Sequence, residues 1–143
     1  MDIAYGLKEE YNDDIYVIKS DNKKIVQAIK NYRHTMESKK IDLIYNFEYN
    51  PYKDFIYYRN SGFNQVLAKI AKRKDIAIGF SFSDLKKSKN KNIILGRLMQ
   101  NFHIAKKYGL KTKVSSFAKS PCELVQKTTL ESFERLLNNK KLY

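Results

Sequence analysis

Apolar and polar positions alternate along this chain in two rhythms, and the rhythm changes repeatedly from one segment to the next. Asp14-Ile15-Tyr16-Val17-Ile18 is a short apolar run that reads as a strand. Asp21 and Asn22 offer helix-capping side chains, and Ile25, Val26, Ile29 and Tyr32 follow at helical spacing, which predicts a helix over 22–33. Ile41 to Tyr45 is a second strand. Asn50-Pro51 breaks regular structure, since the residue before a proline is pushed out of the helical region. Phe55-Ile56-Tyr57-Tyr58 is a third apolar run, expected to be extended. From Gly62 the period turns helical: Phe63, Val66, Leu67 and Ile70 form one stripe, with Lys69, Lys72 and Arg73 off its centre. Ile76 to Phe82 is uncharged throughout, as expected of a strand covered on both faces. Lys86 to Asn92 reads as a polar loop. Ile94, Leu95, Leu98, Phe102 and Ala105 then mark a long helix that stops near Tyr108, with Gly109 placed to end it and Lys106 and Lys107 suited to its negative end. Thr112–Ser116 is the last strand, and Leu130, Phe133, Leu136 and Leu137 mark the last helix.

Strands alternating with helices predict an α/β fold with a parallel sheet, built from right-handed βαβ units. Four or five strands are fewer than a closed eight-stranded barrel needs, so the expectation is an open sheet or part of a barrel. A chain of 143 residues fits one domain, 1–143.

Charge adds a second layer. The net charge is +13, and it is unevenly placed. Residues 62–113 carry thirteen Lys or Arg against two acids, whereas residues 1–54 carry nine against ten. A basic half beside a near-neutral half points to a polyanionic partner, and nucleic acid is the commonest. Lysines on solvated faces are the plainer explanation, but they would not segregate in this way.

Other chemistry is sparse. Cys122 is the single cysteine, which excludes an intrachain disulfide and a cysteine-rich zinc site. His34 and His103 fall on different predicted helices with no ligand at metal-binding spacing. There is no glycine-rich phosphate loop and no nucleophile elbow. Met1 to Tyr5 lacks the basic start of a secretory signal, and no apolar run approaches a membrane span, so a cytoplasmic protein without a membrane partner is expected. Polar residues gather at predicted strand ends: Arg59-Asn60-Ser61, then Ser81, Ser83 and Asp84, then Ser115-Ser116. Such ends form one rim in a β/α architecture, where ligands bind; helix capping is the alternative use. Tyr49, Tyr52, Tyr57 and Tyr58 cluster in one segment, suited either to packing a loop on the core or to stacking on unpaired bases.

The run Arg59-Asn60-Ser61-Gly62-Phe63-Asn64-Gln65-Val66-Leu67-Ala68-Lys69, the buried strand 76–82, Ile104-Ala105-Lys106-Lys107-Tyr108, Ser115-Ser116-Phe117-Ala118 and Leu130-Glu131-Ser132-Phe133 together resemble ribonuclease P protein component 3. The resemblance covers 14–137 and is strongest from Arg59 onward. It departs from the family at Asn60, where an acid is common, and at Gln65, where histidine is usual, so a role resting on that histidine does not carry over. It implies a partial TIM-like barrel, related to the metal-dependent phosphoesterase barrels known as PHP, with the family's first two or three βα units missing. It also implies a subunit of an endoribonuclease holoenzyme that removes the 5′ leader of precursor tRNA. Catalysis in that enzyme belongs to its RNA, so no catalytic residue, metal ligand or cofactor is expected on this chain; magnesium belongs to the RNA-containing holoenzyme. The partners implied are ribonuclease P RNA, precursor tRNA and ribonuclease P protein component 2, with a homodimer as a further way to cover open sheet edges. Taken with the charge, the expected RNA contacts are Arg59, Lys69, Arg73, Lys86, Lys87, Lys91, Arg97, Lys106 and Lys107. Two other readings compete: a divergent stand-alone metal-dependent phosphoesterase, and a basic assembly factor for some other RNA.

Overall fold

The computed structural model describes residues 24–28, 30–118 and 120–139; the strand expected at 14–18 lies outside them. Strand β1 (Ile25–Gln27) leads to helix α1 (Tyr32–Ser38), then β2 (Leu43–Tyr45), α2 (Gln65–Lys74), β3 (Ala77–Ser81), α3 (Phe82–Lys87), α4 (Lys91–Lys107), β4 (Thr112–Ser115) and α5 (Lys127–Leu137). The four strands form one parallel sheet in the order β1-β2-β3-β4. The fold is therefore α/β, with parallel strands alternating with helices.

Consecutive order has a geometric consequence. Right-handed crossovers that always step in the same direction bring successive helices to one face of the sheet. Side chains divide accordingly. Val26, Ile44, Ile78, Phe80 and Val114 point into a main core shared with the buried sides of the helices, among them Met36, Leu67, Leu98, Phe102 and Phe133. The alternate residues, Ile25, Leu43, Tyr45 and Ala77, form a smaller cluster on the opposite face under Phe117. The Phe117 ring stacks on Tyr45 at 4.3 Å and lies across Gly79. A Cβ at Gly79 would come within 2.8 Å of that ring and 2.9 Å of both Leu43 and Tyr45. The uncharged strand is thus covered on both sides, as its composition predicts.

Three sequence expectations need correction. Ile25 and Val26 belong to a strand and not to a helix over 22–33, because they pair in register with Leu43 and Ile44. Asn31, in the left-handed region at φ 51°, then starts the real helix, α1. Phe55 to Tyr58 is neither strand nor core: Ile56 is 93% exposed and Tyr57 is 95% exposed. Lys86 to Asn92 is largely helical, since Ser81 caps α3 by accepting from the Asp84 amide, and only Ser88–Asn90 separate α3 from α4. Elsewhere the helix limits follow capping chemistry. The Asn64 side chain caps α2 by accepting from the Leu67 amide at 3.0 Å, and Gly109 at φ 65° follows α4.

Candidate nucleic-acid interface

After β2 the chain does not go straight into a helix. Asn46 turns it at φ 68°, a 3₁₀ turn spans Phe47–Tyr49, and an irregular loop runs on to Asn64. Three neighbouring side chains of α4 fasten both legs of this loop. Arg97, 4% exposed, donates from Nε to Asp54 Oδ1 at 2.8 Å. Its Nη1 reaches the carbonyls of Glu48 (2.8 Å) and Asn50 (3.2 Å), and its Nη2 that of Tyr52 (2.6 Å). Gln100 pairs with both backbone groups of Arg59, accepting at 3.1 Å and donating at 2.9 Å. Asn101 donates to the Glu48 carboxylate at 2.8 Å and to the Ser61 carbonyl at 3.1 Å. Asp54 completes the closure by accepting from the Asn60 amide at 2.9 Å.

Electrostatics differ sharply between the two acids involved. Burial pushes the fully enclosed Glu48 carboxyl up to about 7; the Asn101 hydrogen bond and the Arg97 charge only partly oppose it. Burial also acts to raise Asp54, but its hydrogen bonds from Arg97 and Asn60 and the charges of Arg97 and Arg59 outweigh it, so its carboxyl is held below the ordinary value.

The loop so fixed displays aromatic surface. The Phe55 amide bonds the Tyr58 carbonyl at 2.9 Å, closing a tight turn, and the two rings lie 4.5 Å apart. Phe55 is 52% exposed and Tyr58 60%. Two clefts flank the loop. One, of about 590 Å³, runs along the start of α4 beside Tyr52, Lys53 and Lys89. The other, of about 510 Å³, lies between the loop and the α2–α4 surface, with Phe55, Tyr58, Arg59, Gln65, Lys107 and Tyr108 in its walls.

The strand-end rim has a different use. Asp84 Oδ2 accepts from Asn46 Nδ2 at 2.9 Å and from Ser81 Oγ at 2.8 Å, and Ser83 Oγ donates to the Ser116 carbonyl at 2.6 Å. These bonds tie the ends of β2, β3 and β4 together, so capping and cross-linking account for most of the polar groups there. Asn46 Oδ1 and Ser115 Oγ are buried with no hydrogen-bond partner among the described residues. Burial, then the nearby Glu48 and Asp84 charges, push the Tyr49 hydroxyl far above its usual range. Among the described residues no three His, Cys, Asp or Glu side chains converge on a point that could hold a metal ion. No helix among them is long and apolar enough to cross a membrane.

The cations expected to meet RNA fall into separate groups. Lys69 and Arg73 are exposed on α2. Lys86, Lys87 and Lys91 are exposed around the α3–α4 junction, where Lys87 is ion-paired with Glu123. Lys106 and Lys107 are exposed in the last turn of α4, with the Lys106 ammonium 5.2 Å from the centre of the Phe102 ring. The fifteen residues from Lys91 to Lys106 place these two groups about 22 Å apart along the helix. Arg59 is half-exposed, its guanidinium laid against Gly96 and 3.4 Å from Asp54. Arg97 stands apart from the set: its guanidinium is turned inward and spent on the loop. A signal for that role was present, because Arg97, Gln100 and Asn101 share one edge of the apolar stripe of α4 at helical spacing. The exposed display of Phe55 to Tyr58 had no such signal.

No protein-family model matches the chain, and no curated protein matches it either.

Proposed function

We propose that this chain is an RNA-binding subunit of a ribonuclease P-type ribonucleoprotein, supporting RNA-catalysed removal of the 5′ leader from precursor tRNA and contributing no catalytic group of its own. The observation that carries the reading is the set of exposed cations on α2, α3 and α4. Lys69, Arg73, Lys86, Lys91 and Lys107 have no acidic partner among the described residues, and they stand on helices packed over one rigid sheet. Unneutralised cations on a fixed frame suit phosphate contacts, which position a protein on RNA without reading its sequence. The consecutive order of the parallel strands supports the resemblance to component 3, since neighbouring strands of a β/α barrel follow one another in this way. Among the described residues β1 and β4 are the outer strands, and it is there that component 2 or a second copy would meet the sheet.

RNA recovered with the tagged protein from its own cells tests the reading: a ribonuclease P-type RNA or precursor tRNA is expected, and any other predominant RNA would reassign it. With that RNA in hand, affinity should fall steeply from low to physiological salt. Changing Lys86, Lys87 and Lys91 together to Ala should lower the slope of log affinity against log salt by about two while leaving the fold intact. A slope unmoved by the triple change would count against this surface.

A further inference from the structure

We propose that the cleft between the 50–60 loop and the α2–α4 surface receives a single unpaired nucleotide of the bound RNA, with its base stacked against Tyr58 and its phosphate held by Arg59 and Lys107. The inference rests on the RNA-binding reading and adds a subsite to it. The cleft, at about 510 Å³, lies within the size range of small-ligand sites. Its walls supply both halves of a nucleotide-binding surface. Phe55, Tyr58 and Tyr108 bring aromatic rings, while Arg59 and Lys107 bring positive charge. Among the described residues no carboxylate lines it. Asp54 pairs with Arg59 through Oδ2 at 3.4 Å and with Arg97 through Oδ1 at 2.8 Å, so one carboxylate is divided between two guanidiniums and the group keeps a net positive charge. Gln65 accepts from the Tyr108 hydroxyl at 3.2 Å, and its NH2 group has no partner among the described residues, so it can serve a base edge.

The exposure of the rings is what decides between packing and recognition. Aromatic side chains that merely fasten a loop to a core are buried by doing so, and here the fastening is done by Arg97, Gln100 and Asn101. Phe55 and Tyr58 are left more than half exposed on a backbone that polar bonds hold in place. A ring kept open to solvent on a fixed frame loses little freedom when a base stacks on it. A duplex keeps its bases stacked on one another and offers none to the cleft, so the site selects single-stranded or bulged nucleotides.

The test uses the whole chain with two probes: a single-stranded RNA hexamer carrying one fluorescent 2-aminopurine, and a blunt RNA duplex of the same length. The hexamer should bind with quenching of the 2-aminopurine. Tyr58→Ala should weaken it about tenfold and abolish the quenching, Tyr58→Phe should retain both, and the duplex should not distinguish the three proteins. Lys107→Ala should weaken the hexamer while sparing the quenching of what remains bound. If Tyr58→Ala binds and quenches like the parent, the subsite is wrong although RNA binding stands, and the aromatic loop belongs to a protein contact. If neither RNA binds, the RNA-binding reading and the subsite fall together. Circular dichroism of each variant confirms that the exposed substitutions leave the fold in place.

Discussion

Arg97 and Asp54, forty-three residues apart in the chain, meet at 2.8 Å, and through that bond the longest irregular segment among the described residues is anchored to the middle of α4. The pair is asymmetric: Arg97 is nearly buried, while the Asp54 side chain keeps 23% of its exposure. The arginine therefore depends on Asp54 and on three backbone carbonyls together, not on one ion pair.

Removing the guanidinium should be correspondingly costly. Arg97→Ala leaves the carbonyls of Glu48, Asn50 and Tyr52 without a donor and is expected to cost about 3–5 kcal/mol in urea unfolding. Asp54→Asn should cost less, since Arg97 keeps its carbonyl partners. In the Arg97 variant, limited proteolysis should cut first between residues 51 and 59. A variant as stable and as protease-resistant as the parent would show that the loop is held by other means.

Stability should fall as pH rises through neutrality, and Glu48 supplies the reason. Its folded-state value of about 7 lies above the ordinary 4.5, so the folded chain holds this proton more tightly than the unfolded chain. Below the ordinary value both states are protonated and the contribution is fully present. Above it the unfolded state loses the proton first, and the stabilisation disappears as pH passes the folded value, a change of about 3 kcal/mol. Glu48→Gln should flatten the dependence of Tm on pH over this window. Asp54 acts in the opposite sense, because its lowered value adds stability that is lost in acid. A Glu48→Gln protein with the parent's pH profile would refute the assignment.

Gly79 and Phe117 should behave as a coupled pair. Gly79→Ala drives a Cβ against the Phe117 ring and two β2 side chains, all three of them buried, and should destabilise by about 1–3 kcal/mol. Phe117→Leu gives up the stack on Tyr45 but makes room. The double variant should therefore lose less than the two single changes added together. Strict additivity in a double-mutant cycle would mean that the ring and the strand do not touch in solution.

Ile78 is fully buried in the main core, on the helix side of the same strand. Ile78→Ala should lower stability by about 2–5 kcal/mol in chemical denaturation. An unmoved midpoint would displace β3 from the centre of the sheet.

Much of this architecture is legible in the sequence, and the failures share a cause. The run Ile76 to Phe82 announces β3 because a strand covered on both faces can carry no charge, although the strand is Ala77–Ser81 and Phe82 already opens α3; Gly109 announces a helix end because glycine takes the left-handed turn there without strain. Ile25 and Val26 mislead because two adjacent apolar residues fit both periods; only pairing with β2, a contact distant in sequence, decides for the strand. Phe55 to Tyr58 misleads in the opposite way. An apolar run is ordinarily read as buried, yet these residues are held out by polar bonds formed around them. Lys86 and Arg97 look alike in a count of charges. What separates them is that one lies in the exposed last turn of a short helix and the other abuts an apolar stripe facing a loop full of carbonyls.

Phe117 also sets a timetable. Its ring seals the face of the sheet formed by Leu43, Tyr45 and Gly79, but it lies thirty-six residues beyond Ser81, the end of β3. During synthesis β2 and β3 leave the ribosome well before the residue that dries their second face. A nascent chain stopped anywhere between β3 and residue 117 would present Tyr45 to water, so its sheet would be a sticky surface that only completion of the next βα unit can close.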